Sequence, residues 1–137
     1  MVLAKPRSYM NLSGAAVRAL MREERCDPSC LVVAHDDLDL TLGRLKFKLK
    51  GGDGGHRGVR SIMEVLGSDR FMRMRIGIGR PPAGMEATDY VLEPFGEEEW
   101  AVMEGALERA VEGLRVLTQR GAQEAMRLFH TPSHCQA

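Results

Sequence analysis

Four groups of residues in this sequence have the types and spacing to do chemistry. His35-Asp36-Asp37-Leu38-Asp39 sets an imidazole beside three carboxylates, a pairing that moves protons in general acid–base catalysis; the plainer reading is a solvated acidic turn. Arg44, Lys46, Lys48 and Lys50 recur at every second position, and Arg73 and Arg75 do so further on. Cations spaced in this way can bracket a phosphate, or can form ordinary solvated strand faces. Gly51-Gly52-Asp53-Gly54-Gly55-His56-Arg57-Gly58 has enough glycine for the backbone to approach a ligand closely or to take positive φ. It contains neither G-x-G-x-x-G nor G-x-x-x-x-G-K-S/T, so a nucleotide-binding module is a weak reading, and there is no G-x-S-x-G elbow for a serine hydrolase. Cys26 and Cys30 with His130 and His134 have spacings that a zinc site can use. Unpaired thiols and a polar tail outweigh that reading, and with Cys135 the odd count argues against a disulfide framework.

These groups need elements to hold them. Val2 to Ala4 reads as the tail of a strand, and Ser13 as the N-cap of a helix carrying Ala16, Val17, Leu20 and Met21 at helical spacing. Cys26 to Cys30, with Pro28, breaks it. Leu31 to Ala34 is a continuous apolar run that suits a strand buried on both faces, and it gives way to the His-Asp-Asp cluster. Polar residues just past the carboxyl end of such a strand lie where open α/β sheets place their sites. Arg44 to Lys50 predicts a half-buried strand with Leu45, Phe47 and Leu49 inward and the four cations outward. After the glycine loop, Val59 to Leu66 predicts a helix closed by Gly67. Phe71 to Gly79 alternates again, with Met72, Met74, Ile76 and Ile78 inward and Arg73 and Arg75 on the opposite face. Glu97 to Leu117 predicts a long helix with acids in its first turn, Gln123 to Phe129 a last helix, and His130 to Ala137 a frayed end. The order of elements is that of a single α/β domain.

The chain has 137 residues, 44% hydrophobic and 28% charged, ordinary for one soluble globular domain. No apolar run reaches membrane-spanning length, and the first ten residues have no secretion-signal pattern, so a cytoplasmic location is expected. The formal net charge of zero hides a polarity. Arg44 to Arg80 holds ten Lys/Arg against three Asp/Glu, leaving a compensating excess of acids elsewhere. A basic stretch of this kind suits phosphates.

Taken in order, several segments resemble one family. Lys5-Pro6-Arg7-Ser8-Tyr9-Met10-Asn11-Leu12-Ser13-Gly14, then Ala34 to Leu40, then Gly43 to Lys50 with Gly54-Gly55-His56, then Arg73-Met74-Arg75-Ile76-Gly77-Ile78-Gly79-Arg80-Pro81, and lastly Asp89-Tyr90-Val91-Leu92 through Phe95 are similar to successive motifs of the bacterial-type peptidyl-tRNA hydrolases. The resemblance runs from about Lys5 to Phe129. It implies a mixed central sheet flanked by helices on both sides, no metal or organic cofactor, and hydrolysis of the ester between a peptide and tRNA. The partner it implies is peptidyl-tRNA, with no membrane contact, and a monomer is expected.

The resemblance also implies roles. Asn11 contacts the peptidyl end, Tyr9 lines the same cleft, and Asp36 hydrogen-bonds the catalytic histidine. Asn11 and the Gly54 to Arg57 loop, with His56 and Arg57, frame the peptidyl carbonyl, and Lys48 and Arg75 hold the tRNA 5′-phosphate. Arg57 departs from the asparagine that many members carry; it is permanently charged and cannot accept a hydrogen bond. The family's first strand, its glycine-asparagine-proline-glycine loop and the helix with the general-base histidine have no counterpart before Lys5. The expectation is therefore a partial domain, marginally folded and inactive by itself. The alternative is an RNA-binding relative of the same fold that has lost catalysis. The joint presence of Tyr9, Asn11 and Asp36 favours an esterase origin.

Overall fold

The structure, a computed structural model, describes residues 1–129. Among these are five α-helices and one three-stranded sheet. The helices are α1 (Ser13–Glu24), α2 (Arg57–Leu66), α3 (Ala87–Tyr90), α4 (Glu97–Arg120) and α5 (Ala122–Phe129), and the strands are β1 (Val32–Asp37), β2 (Leu45–Lys48) and β3 (Met72–Gly77). The strand order is β1-β3-β2. Met72 N donates to Leu31 O and Ile78 N to Asp37 O, so β1 and β3 run parallel. Gly43 N donates to Gly77 O and Gly77 N to Arg44 O, so β2 and β3 run antiparallel. The α/β class with a mixed sheet is thus as the sequence leads one to expect. No helix among the described residues is long and apolar enough to cross a membrane.

The chain clusters into two compact units. Among the described residues, one comprises residues 1–35 and 48–74, the other residues 36–47 and 75–129.

In the first unit, Val59, Ile62 and Phe71 form a buried cluster against which Val17, Leu31, Val33, Met63 and Leu66 pack. Burying apolar side chains of this size contributes about 1.5–3 kcal/mol each. α2 supplies Val59, Ile62, Met63 and Leu66 at helical spacing and ends at Gly67 in the left-handed conformation, φ +66°, as its sequence predicts. α1 meets α2 at Gly14. The Gly14 N–H donates to Ser61 Oγ at 2.8 Å, and a Cβ on Gly14 would lie 2.2 Å from the Ser61 carbonyl oxygen, so only glycine permits this approach.

Four local expectations change. Leu49, expected inward on the second strand, is 50% exposed, because β2 ends at Lys48. Ser13 does not cap α1: it is the helix's first residue, and its hydroxyl donates to Met10 O at 2.7 Å, because a 3-10 turn at Met10–Leu12 leads directly into the helix. Val2 to Ala4 forms no strand. Ala34 is exposed, so β1 is not buried on both faces; the strand also continues through His35, Asp36 and Asp37, since ladder pairing to β3 persists as far as the Asp37 carbonyl.

In the second unit, α4 buries Met103, Ala106, Ala110, Gly113 and Val116, a stripe at three- and four-residue spacing. Phe47 of β2 lies within van der Waals reach of Gly113 and meets Phe129 of α5 edge-on, ring centres 6.1 Å apart. Three polar ties hold the loops. Arg109 donates to Gly43 O at 2.7 Å, Tyr90 Oη to Ile78 O at 2.6 Å, and Gly96 N to Glu99 Oε1 at 3.0 Å at the start of α4.

Candidate functional site

In the first unit, the Met10–Leu12 turn sits on the N-terminal end of α2: a Cβ on Gly58 would meet Met10 Sδ at 2.6 Å. This places the Tyr9-Met10-Asn11 segment beside the His56-Arg57-Gly58 segment. Tyr9 is 82% exposed, so it is a surface ring and not part of a core. Asn11 and Arg57 are exposed as well. A phenol, an amide and a guanidinium are thus exposed on the two segments that meet there.

His56 has a structural role that its residue type does not advertise. Its Nδ1 accepts from Gly58 N at 3.1 Å and from Val59 N at 3.2 Å, capping α2 where a Ser, Thr, Asp or Asn usually stands. The Nδ1 lone pair is thus directed at the first amides of the helix. The ring packs at 5.0 Å from that of His35, inclined by 58°. The loop before it is shaped by Asp53, whose carboxylate accepts from Gly55 N at 2.8 Å and whose carbonyl accepts from His56 N at 2.9 Å. Gly54 and Gly55 have φ of +59° and +81°, which is what glycine supplies here.

Lys48 closes β2 and is half-buried. Arg73 departs from the alternation read in the sequence. It is not on a solvent face but only 1% exposed. Its guanidinium donates to Gly51 O at 2.6 Å, Gly52 O at 2.9 Å and Asp69 O at 2.9 Å, and it stacks over the Phe71 ring at 4.4 Å. Burial holds the group below the usual arginine range, opposed by the charges of Asp69 and Asp53.

In the second unit, strand alternation separates the two adjacent acids. Asp37 is buried, with its side chain 7% exposed, and its Oδ2 accepts from Arg75 Nε at 2.6 Å, the arginine side chain being 20% exposed. Its Oδ1 accepts from Asp39 N at 2.8 Å. Asp36 is half-buried on β1. Arg75 is therefore paired with a carboxylate and not on a fully basic open face. Asp39 and Arg80 form a second, exposed ion pair.

The expected site residues divide accordingly. Tyr9, Asn11, Lys48, His56 and Arg57 belong to the first unit, Asp36 and Arg75 to the second. Cys26 and Cys30 are free thiols; His130 and His134, the other half of the zinc reading, lie outside the described residues. The Arg73 clamp, the His56 cap and the Asp37–Arg75 pair were not legible beforehand. Each depends on a partner that alternation and capping preferences do not specify.

Known proteins give the arrangement a context. The sequence profile of the family described as Peptidyl-tRNA hydrolase matches residues 1–136. A peptidyl-tRNA hydrolase of Nitratidesulfovibrio vulgaris is 48% identical over 120 residues, covering 88% of this chain and 60% of that protein. One from Symbiobacterium thermophilum is 46% identical over 130 residues, covering 95% of this chain and 69% of that protein. The crystal structure of peptidyl-tRNA hydrolase from Acinetobacter baumannii superposes with a TM-score of 0.82 at 34% identity, over 89% of this chain and 62% of that one. The chain thus spans 60% of the length of the Nitratidesulfovibrio relative, and the family profile matches nearly the whole of this chain; on that match it belongs to the peptidyl-tRNA hydrolase family.

Proposed function

We propose that these residues form the substrate-binding and acid-positioning part of an esterase that cleaves peptidyl-tRNA. The observation that supports this reading is the surface at which the Met10–Leu12 turn meets the His56-capped start of α2, with Tyr9, Asn11 and Arg57 exposed on the two adjoining segments. In a family whose relatives are named for this hydrolysis, that surface supplies the groups to grip a peptide and steady its carbonyl. Water attacks the ester carbonyl, a histidine acts as base, and Asp36 accepts the imidazole N–H to favour the reactive tautomer. Asn11 and the Gly54 to Arg57 loop frame the peptidyl end. Lys48 in the first unit and Arg75 in the second are each assigned to tRNA phosphate, Arg75 through its terminal nitrogens because Nε is engaged by Asp37.

Neither His35 nor His56 is assigned the base in this reading. Purified residues 1–137 are accordingly expected to leave peptidyl-tRNA intact in a discontinuous hydrolysis assay. Turnover close to that of a full-length homologue would reject the division of labour.

In the full-length gene product, Lys48→Ala is expected to weaken tRNA binding. It should reduce the slope of log affinity against log salt by roughly 0.7–0.9, the contribution of one neutralised phosphate. An unchanged slope would remove Lys48 from the tRNA contacts. tRNA binding of normal affinity and salt dependence by a full-length protein that hydrolyses nothing would favour the RNA-binding alternative.

A further inference from the structure

Arg73 is a poor choice if stability were its purpose. It is 1% exposed, and among the described residues no carboxylate hydrogen-bonds it and its Nε has no partner. A buried cation with an unsatisfied donor costs more than a well-packed apolar side chain in the same space. Its gain is geometric: one nitrogen holds the two successive carbonyls of Gly51 and Gly52, and another holds Asp69 O. A planar guanidinium fixes the directions of those bonds in a way that a single ammonium cannot.

The clamped glycine is the one against which Lys48 rests. Gly51 has φ +123°, and a Cβ there would lie 2.5 Å from Lys48 Cε and 2.8 Å from Lys48 Nζ. The end of the lysine side chain thus occupies the space that a side chain at position 51 would fill, over a backbone whose carbonyl Arg73 grips. A flexible lysine loses considerable rotamer freedom when it binds a phosphate, so a wall that restricts it beforehand favours binding.

We infer that Arg73 is a positioning residue that, through the carbonyls of Gly51 and Gly52, sets Lys48 for an anionic phosphate of the tRNA. This rests on the function proposed above. Arg73 itself touches no substrate.

The test uses the full-length gene product with Arg73→Lys and Gly51→Ala, each alone and combined with Lys48→Ala. The second variant adds a methyl group where Lys48 Cε and Nζ stand, on a backbone of φ +123° that alanine adopts only with strain, so the phosphate-free ester, on which a misfolded variant also fails, separates misfolding from mispositioning for both variants. Two substrates are compared: intact peptidyl-tRNA, and a peptidyl ester of adenosine that lacks the tRNA phosphates. On intact tRNA, Arg73→Lys and Gly51→Ala are expected to lower kcat/KM about tenfold, mainly through KM, with a shallower salt slope. On the adenosine ester both stay within about twofold of the wild type. In the Lys48→Ala background neither produces a further loss, the non-additivity of residues that act through one another.

Equal losses on the two substrates, or losses that add to that of Lys48→Ala, overturn the inference and leave Arg73 with a role in folding. A wild-type protein that hydrolyses neither substrate overturns the functional reading instead. In that case binding of deacylated tRNA decides the inference alone: weakened, salt-shallow binding by both variants upholds it, and wild-type binding rejects it.

Discussion

Asp36→Asn in the full-length gene product is expected to lower kcat about 10²–10⁴-fold, the range attributed to positioned proton transfer, while leaving the melting temperature nearly unchanged. The substitution keeps size and shape but replaces an acceptor-only carboxylate with an amide that also donates and carries no charge. Such a group neither selects the reactive imidazole tautomer nor stabilises the imidazolium that forms. The fold explains why Asp36 is the acid to test. Its neighbour Asp37 is committed to Arg75 and to the Asp39 N–H, and strand alternation turns Asp36 to the opposite face. Half-buried on β1, Asp36 is near enough to solvent for the isosteric change to be tolerated. Steady-state hydrolysis of peptidyl-tRNA with a thermal melt checks both halves. A kcat within twofold of the wild type, with the fold intact, rejects the role.

Asp37→Ala is expected to show the converse pattern, a loss of stability of about 3 kcal/mol, at the lower end of the cost of breaking a buried ion pair. The carboxylate is 7% exposed and its arginine 20%, so removal leaves a guanidinium mostly out of water with its charge uncompensated, as well as an Asp39 N–H without its acceptor. The partial exposure of Arg75 places the estimate at the low end of the range. In a full-length protein this corresponds to a fall in melting temperature of about 10 °C. Asp39→Ala is the control: it also removes a carboxylate from an arginine, Arg80, but both side chains are largely solvated, and exposed pairs of this kind contribute about 0–1 kcal/mol. Denaturant melts of the two variants decide the matter. Equal losses would mean that burial does not govern the strength of the Asp37 pair.

Much of the chain could be read from local periodicity. Leu45 and Phe47 are buried where the alternation puts them, α2 ends at Gly67 in the left-handed conformation, and α4 begins with the three acids Glu97, Glu98 and Glu99. Those features follow from the two-residue repeat of a strand, the 3.6-residue repeat of a helix and the electrostatics of a helix end, all set within a few residues. The candidate site was legible as residue types: His35 and Asp36, Lys48, and the glycine loop leading to His56 and Arg57. Their surroundings were not. Arg73 and Arg75 are two residues apart on the same strand and read alike in sequence, yet one grips the carbonyls of a glycine loop and the other a carboxylate on β1. His56 became a helix cap because its Nδ1 meets two amides of α2, a use that residue preferences for capping do not suggest. What the sequence determined by itself was the position and type of most elements and the identity of the reactive groups, because those depend on neighbours along the chain. Which cation is buried, which acid is neutralised and which loop is pinned were decided only by the tertiary structure. Arg73 meets Gly51 across 22 residues, Asp37 meets Arg75 across 38 and Gly14 meets Ser61 across 47, and the partners of a charge or an amide are chosen by what folding brings within about 3 Å of it.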